Sequence, residues 1–297
     1  MKDLIKCITL MMALTCIKYP TQAEMMSVKT MEEVQKKIED IHKTQKTEDV
    51  LVAFDIDMTL TQPDHPAVYY PAIKKYVDVY KSILGPLTPA QKDLAATLTT
   101  QVVPQKLVEK DTAKIIKTIQ KQDVKVIALT SSLAGKIKGF PDKMIILRRE
   151  QLQKMGVDFT NTLKNFVRVK TFLDFKEYAG GYPMFYHGIL STNGEGYVSK
   201  GALLIALLRH VGPRYEGKAQ KPGYYPKVII LVDDKKKHLE NVEARLKAYD
   251  PAIQFIGIEY EGAFAYAPQD ISKENFQKFW EELANKAISM NKAFRQI

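Results

Sequence analysis

Short, wholly apolar runs alternate along this chain with longer segments whose apolar residues recur every three or four positions. The short runs have the length and composition of strands buried on both faces, whereas the longer spacing is typical of amphipathic helices. The predicted strands are residues 50–54, 124–130, 228–231 and 253–260. The predicted helices are residues 28–46, 104–122, 148–159, 201–212, 235–246 and a final segment around Trp280. Strands that alternate with helices indicate an α/β fold, with a parallel sheet flanked by helices.

Two stretches interrupt this alternation. Residues 61–103 are mostly helical in pattern, with a break at residues 85–89, and they separate the first strand from the next core helix. Residues 134–199 contain a second insertion, in which Asn193 and Gly194 supply the turn signal of a hairpin. The sequence therefore predicts a core formed by residues 24–60 and 104–297, with residues 61–103 inserted into it.

The first 23 residues have a different character. Lys2 and Lys6 flank the start of an apolar stretch at residues 4–17, and Ala23 is a small residue at a suitable cleavage position. This pattern predicts a signal peptide, residues 1–23, and export to the periplasm or the medium. An N-terminal core helix is the alternative. No later segment is apolar over the length that a bilayer requires, so we expect no transmembrane segment in the mature chain.

The composition of the chain limits the kinds of site and of substrate that the mature protein can have. The chain has 297 residues, 45% of them hydrophobic and 26% charged, as in ordinary folded proteins. Both cysteines, Cys7 and Cys16, lie in the leader, which excludes a disulfide framework and a thiolate metal site from the mature protein. The leader carries three lysines and one aspartate, so its removal lowers the net charge from +10 to +8. This charge favours an anionic substrate, although it also suits nucleic acid.

Polar residues follow three of the predicted strands directly. Asp55 and Asp57 follow the first, Thr130 ends the second, and Asp233 and Asp234 follow the third. Because ligands bind beyond the carboxyl ends of the strands in open α/β sheets, we expect these groups to share one crevice. Carboxylates that close repel one another unless a cation relieves them, and Mg²⁺ is the natural cation for oxygen ligands.

Lys200 begins the helix before the third acidic strand and completes the set that phosphoryl transfer requires. Some of these residues have ordinary structural alternatives. Thr130 would also suit a helix cap, and Asp233 would also suit a loop-orienting role. Three other lysines are alternatives to Lys200, namely Lys218, Lys221 and Lys235.

The motifs "DIDMTL", "IALTS", "SKG" and "LVDDK" resemble, in order, the four motifs of the haloacid dehalogenase superfamily of phosphotransferases. The resemblance covers most of the mature chain and is closest to an uncharacterised bacterial branch with signal peptides. It implies a Rossmann-like core with a helical cap, which residues 61–103 would form. It also implies that the insertion at residues 134–199 adds a further lid element.

The resemblance implies a role for each site residue. Asp55 would attack phosphorus, and Asp57 would protonate the leaving oxygen and then activate water. Thr130 would hydrogen-bond a phosphoryl oxygen, and Lys200 would neutralise charge. Mg²⁺ would bind Asp55, the backbone carbonyl of Asp57, and the acid pair Asp233 and Asp234, with Asp234 the direct ligand of that pair.

Several further residues are candidates for the site. Arg148 and Arg149 are candidate anion contacts in the second insertion, and the segments Asp64–Pro66 and Tyr69–Tyr70 lie at the root of the first insertion. The histidines His187 and His238 have no metal-ligand spacing, and we expect both to be structural.

The sequence thus predicts an exported, Mg²⁺-dependent phosphomonoester hydrolase that acts on a small phosphorylated substrate. One alternative is an exported protein that uses the same fold for binding, with little or no catalysis. Another is a phosphatase acting on nucleic-acid ends, which the positive charge suggests although no basic groove with interleaved aromatics is present. The oligomeric state is left open.

Overall fold

A computed structural model describes residues 24–137, 139–195, 197–216, 219–265 and 270–294 of the chain, so residues 1–23, for which the sequence predicts a signal peptide, lie outside the described residues. The strands are β1 (Glu24–Val28), β2 (Val50–Phe54), β3 (Thr61–Pro63), β4 (Gln105–Leu107), β5 (Lys125–Thr130), β6 (Val169–Thr171), β7 (Met184–Tyr186), β8 (Ile189–Ser191), β9 (Arg214–Glu216), β10 (Ala219–Lys221), β11 (Val228–Asp233) and β12 (Gln254–Tyr260). The helices are α1 (Met31–His42), α2 (Tyr70–Lys75), α3 (Val77–Leu84), α4 (Pro89–Val102), α5 (Thr112–Lys121), α6 (Met144–Lys154), α7 (Lys200–Val211), α8 (Lys236–Tyr249), α9 (Gly262–Ala265) and α10 (Lys273–Phe294), with short 3-10 turns at Thr47–Asp49 and Pro66–Val68.

The central sheet has eight strands in the order β1-β12-β11-β2-β5-β8-β7-β6. The first six pair in parallel, and β7 and β6 continue the sheet in antiparallel fashion. Strands β2 and β11 lie side by side at its centre, with Val52 opposite Ile230, and every residue of both strands is buried. The predicted α/β class, a mostly parallel sheet flanked by helices, is confirmed.

Alternate residues of β2 pack on opposite faces of the sheet, as the two-residue period of a strand requires. Val50, Val52 and Phe54 join the side chains of α1, α5 and α6 in one core, whereas Leu51 and Ala53 join those of α7 and α8 in another. Both faces are thus covered by helices, which explains why the central strands are apolar throughout.

A third apolar cluster forms a helical layer over one end of the sheet. The insertion begins at β3, which pairs with β4 in an antiparallel ribbon, and its helices α2, α3 and α4 lie between them. The C-terminal helix α10 packs against these helices through Phe276 and Trp280, and the Trp280 indole N–H donates to the carbonyl of Ala67 at 2.9 Å. The sequence assigned α10 to the core, but by packing it belongs to the helical layer.

Two element boundaries differ from the prediction for identifiable reasons. Thr30 caps α1 in a reciprocal box with Glu33, so the helix starts at Met31, and residues 24–28 form an edge strand instead. In the segment predicted as a helix over residues 104–122, the first part forms β4 because it pairs with β3, and the helix begins only at Thr112.

The second insertion does not form a separate lid. Its strands β8, β7 and β6 extend the central sheet, with β8 parallel to β5. The hairpin turn lies at His187 and Gly188, whose φ angles are 47° and 88°, and not at Asn193 and Gly194 as predicted. A Cβ on Gly188 would lie 2.2 Å from the backbone of Phe159, so only glycine fits this turn.

Asn193 has a different structural role. Its buried Oδ1 accepts the backbone N–H groups of Ala134 and Gly135, at 2.8 and 3.2 Å. The asparagine therefore fixes the loop that follows β5, next to the carboxyl ends of the central strands. Among the described residues, no helix combines the length and the apolar composition needed to cross a bilayer.

Candidate active site

Three carboxylates lie together beyond the carboxyl ends of the two central strands. Asp55 follows β2 directly, Asp233 is the last residue of β11, and Asp234 comes next. The backbone N–H of Asp55 donates to the carbonyl of Val232 at 2.8 Å, so the pairing of the strands continues into the site. One oxygen from each carboxylate lies within 4.8 Å of the others. The sequence placed these acids in one crevice, and the parallel register of β2 and β11 is the reason that they meet.

Lys200 supplies the positive charge of this cluster. It is the first residue of α7, a helix capped by Ser199, whose side chain accepts the N–H of Ala202 at 3.2 Å. The Lys200 Nζ lies 2.5 Å from Asp55 Oδ1 and 2.6 Å from Asp233 Oδ2, and only 3% of the residue is exposed. A lysine is almost never buried unless it is paired, so this position is not an ordinary solvated charge.

Of the three alternative lysines, only Lys235 has a side chain among the described residues, and it does not take this place. Lys235 pairs with Glu195, with 2.6 Å between Nζ and Oε1. Lys218 lies outside the described residues, and Lys221 is described by its backbone alone. Among the described side chains, Lys200 is the lysine that bridges two of the aspartates.

The cluster holds more negative than positive charge. Three carboxylates face the single ammonium of Lys200, so these four groups carry an excess of two negative charges when all of them are ionised. Burial alone would lower the pKa of Lys200, but Asp233 and Asp55 outweigh it and raise that pKa. Burial alone would raise the pKa of Asp233, which nevertheless falls to about 2 because Lys200 and His238 stabilise its carboxylate.

Asp234 is the carboxyl without an ammonium partner. Burial, together with the charges of Asp55 and Asp233, raises its pKa to about 7. Its Oδ2 accepts a hydrogen bond from the hydroxyl of Tyr70, which comes from the helical layer. Burial also raises the pKa of Asp55, although Lys200 acts against this. A divalent cation would neutralise the unpaired charges, and a donor set of carboxylate oxygens suits a hard ion such as Mg²⁺.

His238 belongs to the site, contrary to its predicted structural role. It lies in the first turn of α8, and its Nδ1 is 3.1 Å from Asp233 Oδ1. The same oxygen accepts the backbone N–H of Lys235 at 2.9 Å. The signal available in the sequence was the position of this histidine one helical turn after the acid pair. His187, by contrast, lies at the hairpin turn between β7 and β8, where its ring contacts Tyr186.

Ser132 links Thr130 to Asp57. Ser132 Oγ donates to Asp57 Oδ2 at 2.9 Å, so the Thr130 hydroxyl is the donor in its own 2.9 Å contact with Ser132 Oγ. The Ser132 N–H in turn donates to Thr130 Oγ1 at 3.1 Å. The next helix, α6, begins only at Met144, so Thr130 does not cap a helix. The sequence singled out Thr130 and missed Ser132.

Arg148 approaches Asp57 from α6. Its guanidinium is buried, with Nη2 against Asp57 Oδ1 and Nη1 donating to Gln151 Oε1 at 3.0 Å. Neither Nε nor Nη2 forms a hydrogen bond of good geometry with the described residues, so the pairing with Asp57 is a contact of charges. Burial lowers the pKa of Arg148 to about 10. Arg149 lies outside the site, and its Nε donates to Thr160 Oγ1 at 3.3 Å.

A cavity of about 590 Å³ separates the aspartates from the helical layer. Five polar residues form its floor, namely Asp55, Asp57, Thr130, Ser131 and Ser132. Three of them belong to the predicted site, whose other residues, Lys200, Asp233 and Asp234, are not among the lining residues. Tyr70 reaches the floor from α2, while Tyr80 and Trp280 line the opposite side. The volume is within the range of small-molecule sites.

The other residues at the root of the insertion face away from this cavity. Asp64 Oδ1 pairs with Lys106 Nζ at 2.9 Å, and the ring of His65 stacks on Phe279 with 4.2 Å between centroids. The hydroxyl of the buried Tyr69 donates to Asp64 at 3.3 Å. Of the root residues that the sequence singled out, Tyr70 alone contacts the described aspartate cluster.

Comparison with known proteins places the chain in a family. A family model described as "Protein of unknown function (DUF2608)" matches residues 27–293. The chain belongs to this DUF2608 family. The match spans both central strands, the helical layer and every residue of the aspartate cluster.

Proteins similar to this chain occur in Rickettsia. An uncharacterised protein of Rickettsia felis is 25% identical over 265 residues, which are 85% of this chain and 81% of that protein. An uncharacterised protein of Rickettsia conorii is 24% identical over 277 residues, or 90% and 85% of the two chains. One from Rickettsia bellii is 22% identical over 252 residues, or 80% and 78%. The DUF2608 description and these names assign no activity.

The pair formed by Arg148 and Asp57 predicts a measurable coupling in this DUF2608 chain. In Asp57→Asn the buried guanidinium loses its counter-charge, and we expect the free energy of unfolding to fall by about 2 kcal/mol, below the usual range for buried pairs because Asp57 is partly exposed. The double variant Asp57→Asn/Arg148→Met removes the buried charge as well, so it should be more stable than Asp57→Asn alone. Urea unfolding of the wild type, both single variants and the double variant measures the coupling. Strictly additive effects would show that the two side chains are not paired.

Proposed function

We propose that this protein is a Mg²⁺-dependent phosphomonoester hydrolase with a core of the haloacid dehalogenase type. The observation that carries the proposal is the position of Asp55, a buried carboxylate that lines the cavity and is held by Lys200 beside two further aspartates. A carboxylate so placed, at the carboxyl end of a central strand, is suited to attack a phosphoryl group from the floor of the cavity.

In the first step Asp55 attacks phosphorus, and the bond between phosphorus and the ester oxygen breaks. Asp57, once it has taken up a proton in the enzyme–substrate complex, gives that proton to the departing oxygen, so the alcohol leaves as a neutral product. The resulting aspartyl phosphate is attacked at phosphorus by water, which loses a proton to Asp57 as the bond to Asp55 breaks. Inorganic phosphate is released, and both aspartates return to their initial state.

The surrounding residues support both steps. Lys200 already contacts Asp55 Oδ1, so the other carboxylate oxygen remains for the attack. Thr130 would donate its hydroxyl hydrogen to a phosphoryl oxygen bound on the floor, turning it away from Ser132 Oγ when the substrate binds. Ser132 and Arg148 hold Asp57 between them, so they fix the carboxylate that has to reach the leaving oxygen.

Mg²⁺ would be held by Asp55, Asp234 and the backbone carbonyl of Asp57, with Asp233 orienting Lys200 and the loop after β11. When bound, the ion would offset the negative charge of the aspartates and of the phosphoryl group. The excess of carboxylates over ammonium groups in the cluster supports this assignment.

The assignment predicts how Asp234→Asn changes stability. The folded pKa of Asp234, about 7, lies above its ordinary 3.8, so the folded state binds the proton more tightly. This carboxyl therefore reduces stability progressively as the pH rises from about 4 to about 7, and the metal-free Asp234→Asn variant should be at least as stable as the wild type at pH 8.

Mg²⁺ should raise the melting temperature of the wild type and not that of Asp234→Asn. At a hundredfold excess over its Kd, a ligand specific for the folded state stabilises it by about 2.7 kcal/mol, or about 5 °C in a chain of this size. Thermal melts across a Mg²⁺ titration measure the effect. Asp93→Asn is the matched control, because Asp93 lines the cavity away from the cluster and should leave the shift intact. An equal shift in Asp234→Asn would place the metal elsewhere.

The activity itself is tested with a panel of phosphomonoesters, including sugar phosphates, nucleotides and phosphorylated oligonucleotides, assayed with Mg²⁺ and with EDTA. We expect phosphate release from small esters, loss of release in EDTA, and recovery on adding Mg²⁺. Release from oligonucleotide ends alone would favour a nucleic-acid phosphatase. Tight binding of an ester without release would indicate a binding protein that uses the same fold.

A further inference from the structure

Several polar groups of the cavity wall in the helical layer already use their donor hydrogens. The hydroxyls of Thr97, Thr99 and Thr100 donate to backbone carbonyls of α4, at 2.8, 2.7 and 2.9 Å. The indole N–H of Trp280 also donates to a backbone carbonyl, and Asp93 accepts a tyrosine hydroxyl at 2.6 Å. The oxygens of these groups can still accept hydrogen bonds, but their donors cannot replace the water that a polar substrate gives up on binding.

Most of the other side chains of this wall are aliphatic or aromatic, namely Val68, Ile73, Tyr80, Leu84, Leu133 and Trp280. The rings of Tyr80 and Trp280 meet edge to face, with 4.8 Å between centroids, and make a rigid aromatic surface. Lys81 and Lys92 also line the cavity, but both are exposed to solvent and so remain hydrated.

The floor of the cavity is therefore polar and charged, whereas the wall in the helical layer is mostly apolar. We propose that the substrate is a phosphomonoester with an apolar, ring-sized leaving group, and not a sugar phosphate or a nucleotide. The inference rests on the proposed function, because it takes the phosphoryl group to lie on the aspartate floor. An apolar ring against this wall loses contact with water, which is favourable. Sugar hydroxyls against the apolar side chains would lose hydrogen bonds to water, and the engaged donors of this wall could not replace them.

The test compares two substrates whose leaving groups react alike. Phenethyl phosphate and glucose 6-phosphate are both esters of primary alcohols and are similar in size, so they differ mainly in polarity. We expect kcat/KM to be about 100-fold higher for phenethyl phosphate. Acetyl phosphate, assayed in parallel with Mg²⁺, reports on the phosphatase chemistry itself.

The outcomes separate the inference from the proposed function. Hydrolysis of acetyl phosphate with equal or better use of the sugar ester would overturn the inference and leave the proposed function standing. Failure to release phosphate from all three compounds would overturn both.

A pair of variants tests whether the wall sets the preference. Ala96 lines the cavity on α4, so Ala96→Phe fills part of it, and the preference for phenethyl phosphate should fall at least about tenfold. Ala90→Phe adds the same side chain to the same helix away from the cavity lining and should keep the wild-type preference. A preference that survives Ala96→Phe would place the leaving group elsewhere.

Discussion

Asp55→Asn is expected to lower phosphate release by at least about 10⁴-fold, because the amide cannot form the covalent intermediate. The same variant should fold, since it removes a negative charge from a cluster that already holds an excess. Lys200 keeps its second partner, Asp233, at 2.6 Å. Circular dichroism and the melting temperature establish the fold, and initial rates with Mg²⁺ establish the loss.

Asp93→Asn is the control for this result, since it makes the same chemical change at another carboxylate of the cavity. It should retain the mechanism and lose far less activity. A folded Asp55→Asn protein with a rate close to the wild type would show that the nucleophile is another residue.

Lys200→Met is expected to cause the largest loss of stability. The variant keeps most of the side-chain volume but leaves Asp55 and Asp233 buried without their ammonium, and breaking such a pair costs about 3–5 kcal/mol. Phosphate release should fall with it, because Lys200 contacts the nucleophile. Part of the stability should return with Mg²⁺, which supplies positive charge to the same carboxylates.

Lys227→Met provides a matched comparison. Lys227 also forms a close ion pair, 2.7 Å from Asp49, but its side chain is 68% exposed. Exposed pairs contribute roughly 0–1 kcal/mol, so this variant should change the free energy of unfolding by less than about 1 kcal/mol. Urea unfolding of both variants gives the comparison. Similar small losses at the two positions would mean that Lys200 does not neutralise the cluster.

The site residues that the sequence predicts are those whose positions depend on their near neighbours in the chain. Asp55, Asp233 and Asp234 follow wholly apolar runs, and a buried parallel strand leaves its next residues at one edge of the sheet. Lys200 opens a helix directly after a serine that caps it, so its position is also set locally. These residues meet because the strands that carry them are neighbours.

The contacts that the sequence did not reveal join residues far apart in the chain. Arg148 and Asp57 are 91 positions apart in the sequence, and they pair because α6 lies next to the loop that follows β2. Tyr70 meets Asp234 across 164 positions, and only the docking of the helical layer on the sheet brings them together. Neither spacing carries a periodic signal. Tyrosines at helical spacing are equally compatible with a core position.

The same distinction explains the errors in the fold. Residues 24–28 form a strand because they pair with β12 at the edge of the sheet. Their own sequence pattern does not predict this pairing. The hairpin turn falls at His187 and Gly188, which both have positive φ angles, and Phe159 leaves no room for a side chain on Gly188. Asn193, despite its strong local turn signal, is used for its side-chain amide instead.

Rapid acid quenching shows whether Asp55 carries a phosphoryl group during turnover. Wild-type protein is mixed with Mg²⁺ and a phosphomonoester that it hydrolyses, quenched during the first turnovers, and digested for mass spectrometry. We expect the peptide containing Asp55 to gain the mass of one phosphoryl group, the label to be absent from Asp55→Asn, and hydroxylamine to remove it. Turnover with no label on this peptide, or a label that survives in Asp55→Asn, would show that Asp55 is not the nucleophile.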